Sequence, residues 1–181
     1  MIFFETHLKG LFVIQPNVFE DARGYFFETF NHNEFIANTG YNLNFFQDNQ
    51  SKSAKNVLRG LHFQNPPYAQ GKLVRVIRGS VLDIAVDIRK KSSTYGEHYK
   101  IKLDTIDHKM LYLPEGFAHG FVTLEDNTIF SYKCTNFYHK PSEDCILWSD
   151  PDLKIDWEVN NPILSEKDQL GKKFSSFASK F

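Results

Sequence analysis

The stretch Leu73-Val74-Arg75-Val76-Ile77-Arg78-Gly79-Ser80-Val81-Leu82-Asp83-Ile84-Ala85-Val86-Asp87-Ile88 decides the fold class. Aliphatic and β-branched side chains fill it at spacings of one and two, without the three-to-four spacing of a helix. One turn signal, Arg78-Gly79-Ser80, divides it, so it reads as two strands joined by a hairpin. Moving towards the amino terminus, similar runs recur at Val57 to Phe63, Leu43 to Asp48, Tyr25 to Phe30 and Leu11 to Ile14. Towards the carboxyl terminus they recur at Tyr99 to Leu103, Met110 to Leu113, Phe121 to Leu124, Ile129 to Asn136 and Cys145 to Trp148. Pro114-Glu115-Gly116 and Glu125-Asp126-Asn127 read as loop tips between them.

Two helical segments interrupt this pattern, one from Asn31 to about Asn38 ending at Gly40 and one starting at Ser165. Roughly eleven evenly spaced strands with little helix predict an all-β fold, a cupin-like double-sheet jelly roll whose mouth holds a small ligand. No internal repeat or low-complexity linker divides the chain, so residues 1–181 are expected to form one domain.

Composition narrows the function. The 21 basic and 22 acidic side chains give a net charge of -1, which supplies no overall field for nucleic acid or an anionic bilayer. Any anionic ligand must be held locally. Cys134 and Cys145 lie in no CxxC or Cys/His cluster, which favours a reducing cytoplasm over a disulfide framework. Met1 to Gly10 lacks the apolar stretch of a signal peptide, and no apolar run reaches membrane-spanning length, so the expected chain is neither exported nor membrane-bound. Aromatic content is high at 15%, with 18 Phe and 8 Tyr. That fits a sheet-rich interior, and also aromatic walls around a pocket.

Several polar side chains sit where burial is costly without compensation. In Val57-Leu58-Arg59-Gly60-Leu61-His62-Phe63-Gln64 an Arg and a His interrupt an apolar strand. A strand His is commonly a hydrogen-bonded core residue, and His62 read alone supports that as well as function. Lys72, in Gln70-Gly71-Lys72-Leu73-Val74-Arg75, opens the next strand, either as a solvated strand end or near His62 across the ladder. His119 lies among apolar neighbours in Gly116-Phe117-Ala118-His119-Gly120-Phe121, where a tight strand-entry turn is the alternative to a ligand contact. Tyr132 alternates with Phe130 and Cys134, which points its hydroxyl inward. Asp168 falls three residues after Ser165, a position that suits a helix cap. His62 has no second histidine two residues on, so the spacing argues against a metal.

These motifs, together with Phe19-Glu20-Asp21-Ala22-Arg23-Gly24-Tyr25-Phe26-Phe27-Glu28-Thr29, Trp148-Ser149-Asp150-Pro151-Asp152-Leu153 and Leu164-Ser165-Glu166-Lys167-Asp168, closely resemble those of the dTDP-4-dehydrorhamnose 3,5-epimerases along almost the whole chain. The resemblance implies a homodimer acting on dTDP-4-keto-6-deoxy-D-glucose, inverting C3 and C5 without a metal or organic cofactor. By that likeness His62 is the base, Asp168 its orienting carboxylate, Lys72 the ammonium beside the enolate oxygen and Tyr132 the acid on the opposite side. Arg23, Arg59, His119 and Lys167 are implied near phosphate or sugar oxygens. Glu28, Gln47, Asp48, Asn49 and Glu143 are implied as polar anchors, and Phe19, Phe26 and Tyr138 as aromatic contacts. Two rivals stand beside this reading: an epimerase that inverts C3 or C5 only, and a non-catalytic sugar-nucleotide binding module. Arg59 and His62 have opposite parity, so either Gly60 marks a bulge or Arg59 serves a partner's site.

Overall fold

In the computed structural model, which describes Met1 to Phe181, the elements follow the order β1 (Ile2–Glu5), β2 (Phe12–Gln15), β3 (Phe19–Asp21), β4 (Gly24–Phe26), α1 (His32–Thr39), β5 (Gln47–Ser53), β6 (Leu58–Gln64), β7 (Lys72–Arg78), β8 (Ser80–Asp87), β9 (His98–Asp104), β10 (Met110–Leu113), β11 (Phe117–Thr123), β12 (Thr128–Cys134), β13 (Glu143–Cys145) and α2 (Glu166–Gln169). A six-stranded sheet runs β1-β2-β10-β7-β12-β5, a five-stranded sheet runs β13-β6-β11-β8-β9, and β3 and β4 form a separate ribbon. The two large sheets face each other as an antiparallel sandwich, the cupin-like jelly roll expected of the strand pattern.

Three apolar layers hold it together. Between the sheets, Val74, Val76, Leu111 and Phe130 from one side meet Val81, Ala85, Phe117 and Phe121 from the other. Outside the five-stranded sheet, the carboxyl-terminal segment lays Leu153, Trp157 and Phe177 over Leu58, Leu82, Ile84 and Val122. Outside the six-stranded sheet, α1 packs Phe35 onto Phe12, Leu73, Met110 and Tyr112. Burying a side chain of this size contributes about 2 kcal/mol. Because both its faces are covered, β8 is buried at every residue. The helix α1 lies where its caps place it: Asn31 Oδ1 accepts from the Glu34 N–H at 3.2 Å, and Gly40 takes the left-handed conformation, φ 74°, that ends it.

The structure corrects several expectations. The run Cys145 to Trp148 is strand only at Cys145, where β13 ends, and Ile146 makes just an isolated bridge to Lys172. Arg78-Gly79-Ser80 is not a hairpin turn, because β7 pairs with β10 and β12 while β8 pairs with β9 and β11. Turn residues report a chain reversal without naming the partner, and this turn carries the chain from one sheet to the other. Of the run Tyr25 to Phe30 only Tyr25 and Phe26 are strand, the end of β4, paired with β3 in an exposed ribbon. Its remaining aromatics pack as a coil, Phe27 against Tyr25 and His108, and Phe30 against Phe35 and Phe45. The strand expected at Leu43 to Asp48 begins instead at Gln47, since Leu43 and Phe45 are taken up by the α1 layer. Finally β11 starts at Phe117, so His119 lies within a strand and not in an entry turn.

Candidate active site

The central polar side chains of the inner cleft stand on strands of both sheets. His62 lies on β6 of the five-stranded sheet, directly opposite His119 on β11. Lys72 opens β7 and Tyr132 lies mid-way along β12, opposite Val74, so both belong to the six-stranded sheet. Lys72 is therefore near His62 across the sandwich interior and not across a ladder as the sequence suggested. The three border a cleft of about 280 Å³ that also takes in Gln47, Asn49, Tyr138 and Glu143. The same three border an inner chamber of about 180 Å³ with Arg59, His119 and Phe130.

At its base His62 meets Asp168. Asp168 Oδ1 lies 2.6 Å from His62 Nε2, an approach too far out of line with the ring N–H to count as an aligned hydrogen bond. The Ser165 hydroxyl donates to Oδ2 at 2.6 Å and the Gly60 N–H donates to Oδ1 at 3.3 Å. Asp168 also stands in the first turn of α2, its N–H donating at 3.2 Å to Oγ of the N-cap Ser165. Capping and pairing, alternatives in the sequence, are both true. Burial pushes the Asp168 carboxyl up, but His62, Ser165 and the Gly60 N–H outweigh it and hold it below the ordinary carboxylate range. With Nε2 committed to a carboxylate, Nδ1 is the ring nitrogen left to take a proton.

Cys145, opposite His62 on β13, brings its sulfur within 4.8 Å of this pair. Two ligands on one tetrahedral zinc stand about 3.3 Å apart. The His62–Asp168 separation of 2.6 Å is well inside that distance, so the two do not stand as ligands around a common ion. Burial pushes the Cys145 thiol up to about 12, which keeps it protonated beside the pair.

Lys72 makes no ion pair within the chain, and burial lowers its ammonium below the usual lysine range, against the pull of Cys134, Asp83 and Glu143. Burial raises the Tyr132 phenol, which keeps it protonated. A cation without a direct ion pair and a protonated phenol on one wall, facing an imidazole held against a carboxylate on the other, form an acid-base site with an electrostatic clamp.

The sequence family supports that chemistry. The model of the dTDP-4-dehydrorhamnose 3,5-epimerases matches residues 5–176. A dTDP-4-dehydrorhamnose 3,5-epimerase of Shigella flexneri is 51% identical over 170 residues, 94% of each chain. The chain belongs to this family. Among solved structures, the dTDP-4-dehydrorhamnose 3,5-epimerase of Elizabethkingia anophelis superposes with a TM-score of 0.93 at 48% identity, covering 97% of each chain. The epimerase of Legionella pneumophila, solved in complex with dTDP-4-keto-L-rhamnose, has a TM-score of 0.94 at 40% identity and covers 98% of this chain and 94% of its own. As a member of the dTDP-4-dehydrorhamnose 3,5-epimerases, the chain is an isomerase acting on a carbohydrate.

Within this epimerase fold the implied binding residues divide. Arg59 reaches the chamber because a bulge at Gly60 shifts the register between His119/His62 and Phe121/Arg59. Only glycine fits there, at φ 140°, since a Cβ would strike the Cα of Gly120. Glu143 is tied to Lys167 and accepts from the Tyr138 hydroxyl at 2.9 Å, and Gln47 and Asn49 complete the mouth. Asp48, by contrast, alternates to the outer face, where it pairs with Lys133 at 2.9 Å. Arg23, Phe19 and Phe26 lie on the β3–β4 ribbon around a separate concavity of about 550 Å³ that shares no residue with the cleft. Glu28, just beyond, accepts from Asn31. The ribbon leads into Phe27, over which the outward Arg75 lies, so it projects from the wrong side of the sheet to reach its own cleft. Gln64 and Gln70 line the cleft without having been singled out. Counting by two from His62 puts Gln64 on the inner face.

Proposed function

We propose that this chain epimerises dTDP-4-keto-6-deoxy-D-glucose at C3 and C5, giving dTDP-4-keto-L-rhamnose. The observation that carries the reading is the placement of His62 on one sheet and of Tyr132 and Lys72 on the other, around one cleft. His62 removes the proton from the carbon beside the ketone, and the C–H electron pair becomes the enolate. The Lys72 ammonium stabilises the oxygen that gains charge. Tyr132 returns a proton to the carbon from the opposite face; its phenolate is then reprotonated from solvent and the His62 imidazolium gives its proton up to solvent, which resets both. A base and an acid on one side alone would give exchange without inversion.

Arg59, His119 and Lys167 are assigned to phosphate and sugar oxygens, with Arg59 offering a planar fork of donors. Tyr138 is assigned to stacking on the base, and Gln47, Asn49 and Glu143 to polar anchoring. The reading includes a homodimer in which Phe19, Arg23, Phe26 and Glu28 serve the partner's cleft. The exposure of Phe19 at 65% and Phe26 at 68% supports that role. No helix is long and apolar enough to cross a membrane. Two free cysteines suit a reducing compartment, so the cytoplasm is the proposed location.

The test is incubation with dTDP-4-keto-6-deoxy-D-glucose in deuterium oxide, with label located by NMR. Deuterium at both C3 and C5, with the L-configured product, is the expected outcome. Label at one carbon only identifies a single-site epimerase, and none above the enzyme-free control supports the binding-module alternative.

A further inference from the structure

Asp83 stands in the middle of β8, a strand buried at every residue, and its own exposure is 0%. Strand alternation turns it inward with Val81 and Ala85, into the interior layer of the sandwich. There it lies opposite Phe121 and diagonal to His119, which pairs with Ala85. Both of its oxygens are 3.0 Å from His119 Nε2, and no other side chain or backbone group hydrogen-bonds to the carboxylate. An ionisable group in an apolar layer works against folding unless its neighbours compensate it, and an aliphatic residue here would satisfy the core. The reason for an acid must lie in what it does to the groups around it.

Those groups belong to the chamber. His119 lines it, 7% exposed, and its Nδ1 makes no hydrogen bond within the chain. Around them stand Arg59 and His62 on β6, Lys72 on β7 and Tyr132 on β12, with Glu143 of β13 at the mouth. Asp168 is already held by His62, Ser165 and Gly60, and Glu143 by Lys167 and Tyr138. Asp83 is thus the remaining carboxylate within reach of the chamber's cations. It lies close enough to Lys72 to favour the ammonium, after Cys134 and ahead of Glu143.

We propose that Asp83 is a positioning residue for the reaction, fixing His119 as its Nε2–H tautomer so that Nδ1 faces the ligand, and supplying the fixed negative charge that faces Lys72. This rests on the epimerase reading above and extends it to a residue that need not touch substrate. Holding a ring through one nitrogen so that the other is presented in a set state is the logic of a His-carboxylate pair. The fixed charge matters most as the enolate forms, because Lys72 must remain an ammonium in a site withdrawn from water.

The test is Asp83→Asn, which keeps the size and an acceptor oxygen and removes the charge. Wild-type turnover and deuterium incorporation are measured first, so that failure of the epimerase reading is seen separately. The variant is expected to lose roughly 10- to 100-fold in kcat with KM little changed. Its alkaline limb of kcat/KM is expected to move to lower pH by roughly one unit, since removing a nearby negative charge makes an ammonium more acidic. A limb that stays in place overturns the proposal, whatever happens to kcat, because a purely structural role lowers melting temperature without moving it. Should the variant fail to fold, long-range proton-nitrogen spectra of the wild-type histidines decide. Nitrogen-bound hydrogen on Nε2 of His119 supports the assignment, and a neutral ring protonated on Nδ1 alone overturns it.

Discussion

His62, Lys72 and Tyr132 can be separated by what each loses when truncated. His62→Ala removes the base while leaving the mouth residues Gln47, Asn49 and Tyr138 in place. Turnover is expected to fall at least 100-fold with dTDP affinity within a few-fold of wild type, measured by calorimetry. Tyr132→Phe removes the acid only. Deuterium should still wash into the substrate from the His62 side while inverted product disappears, a split that NMR reads directly; inverted product at the wild-type rate would remove Tyr132 from the mechanism. Lys72 sets the alkaline limit: its burial-lowered ammonium deprotonates before an ordinary lysine, and the raised Tyr132 phenol deprotonates later. Activity should therefore decline with rising pH below the free-lysine value of 10.5, and Lys72→Arg should abolish that limb at reduced kcat, since a guanidinium does not titrate in this range. At this scale the sequence was informative where parity applies. Tyr132 points inward as its alternation with Phe130 and Cys134 required, whereas Arg59 escapes parity through the Gly60 bulge, one of two alternatives in the sequence between which the ladder decides.

Among the elements, short α2 shows how a cap becomes part of a site. Ser165 Oγ accepts the Asp168 N–H and donates to its carboxylate, so it fixes both the helix start and the oxygen facing His62. Ser165→Ala should cost about 1 kcal/mol of stability. It should also lower kcat, and Ser165→Thr should restore both; a variant with full activity would show that Asp168 needs no such support. The turn after β8 is held by another buried carboxylate. Asp87 accepts from the Arg89 backbone and guanidinium and from the hydroxyls of Ser92 and Thr94. Burial pushes this carboxyl up, and these donors more than offset it, leaving it below its ordinary 3.8. A depressed folded value means that the stability it contributes is full above the unfolded value and is lost as pH falls through the folded one. Asp87→Asn should cost about 3 kcal/mol at pH 7, with the gap to wild type closing below about pH 4 in denaturant melts. The strands themselves were legible because their apolar runs exceed anything a loop would bury. The ribbon strand β3 and most of β5 were not, because β3 has no buried face to impose a period on its sequence and Gln47–Ser53 is polar throughout.

For the whole molecule, counting strands was enough to foresee a sandwich, but the pairing was out of reach. The β7–β8 turn looks the same in sequence whether its strands pair or part, and what separates them is the competition of β10, β12, β9 and β11 for their edges. That same topology turns the inner faces of β6, β7 and β12 towards one cleft and leaves the aromatic β3–β4 ribbon outside it. A homodimer that inserts the ribbon into a neighbour predicts complementation between two inactive proteins. Arg23→Ala lacks a residue supplied from outside, and His62→Ala lacks one supplied from within. In a mixed dimer, the cleft of the Arg23→Ala chain keeps its own His62 and receives Arg23 from the His62→Ala partner, so one of the two clefts is whole. Co-refolding the two variants should restore activity to roughly a quarter of wild type, half the dimers being mixed with one intact cleft each. If Arg23 instead served its own chain, every cleft in the mixture would carry one lesion, and activity would stay at the level of the separate variants. Light scattering on the same samples separates the remaining case, since a monomeric mass with no restored activity removes the shared site altogether.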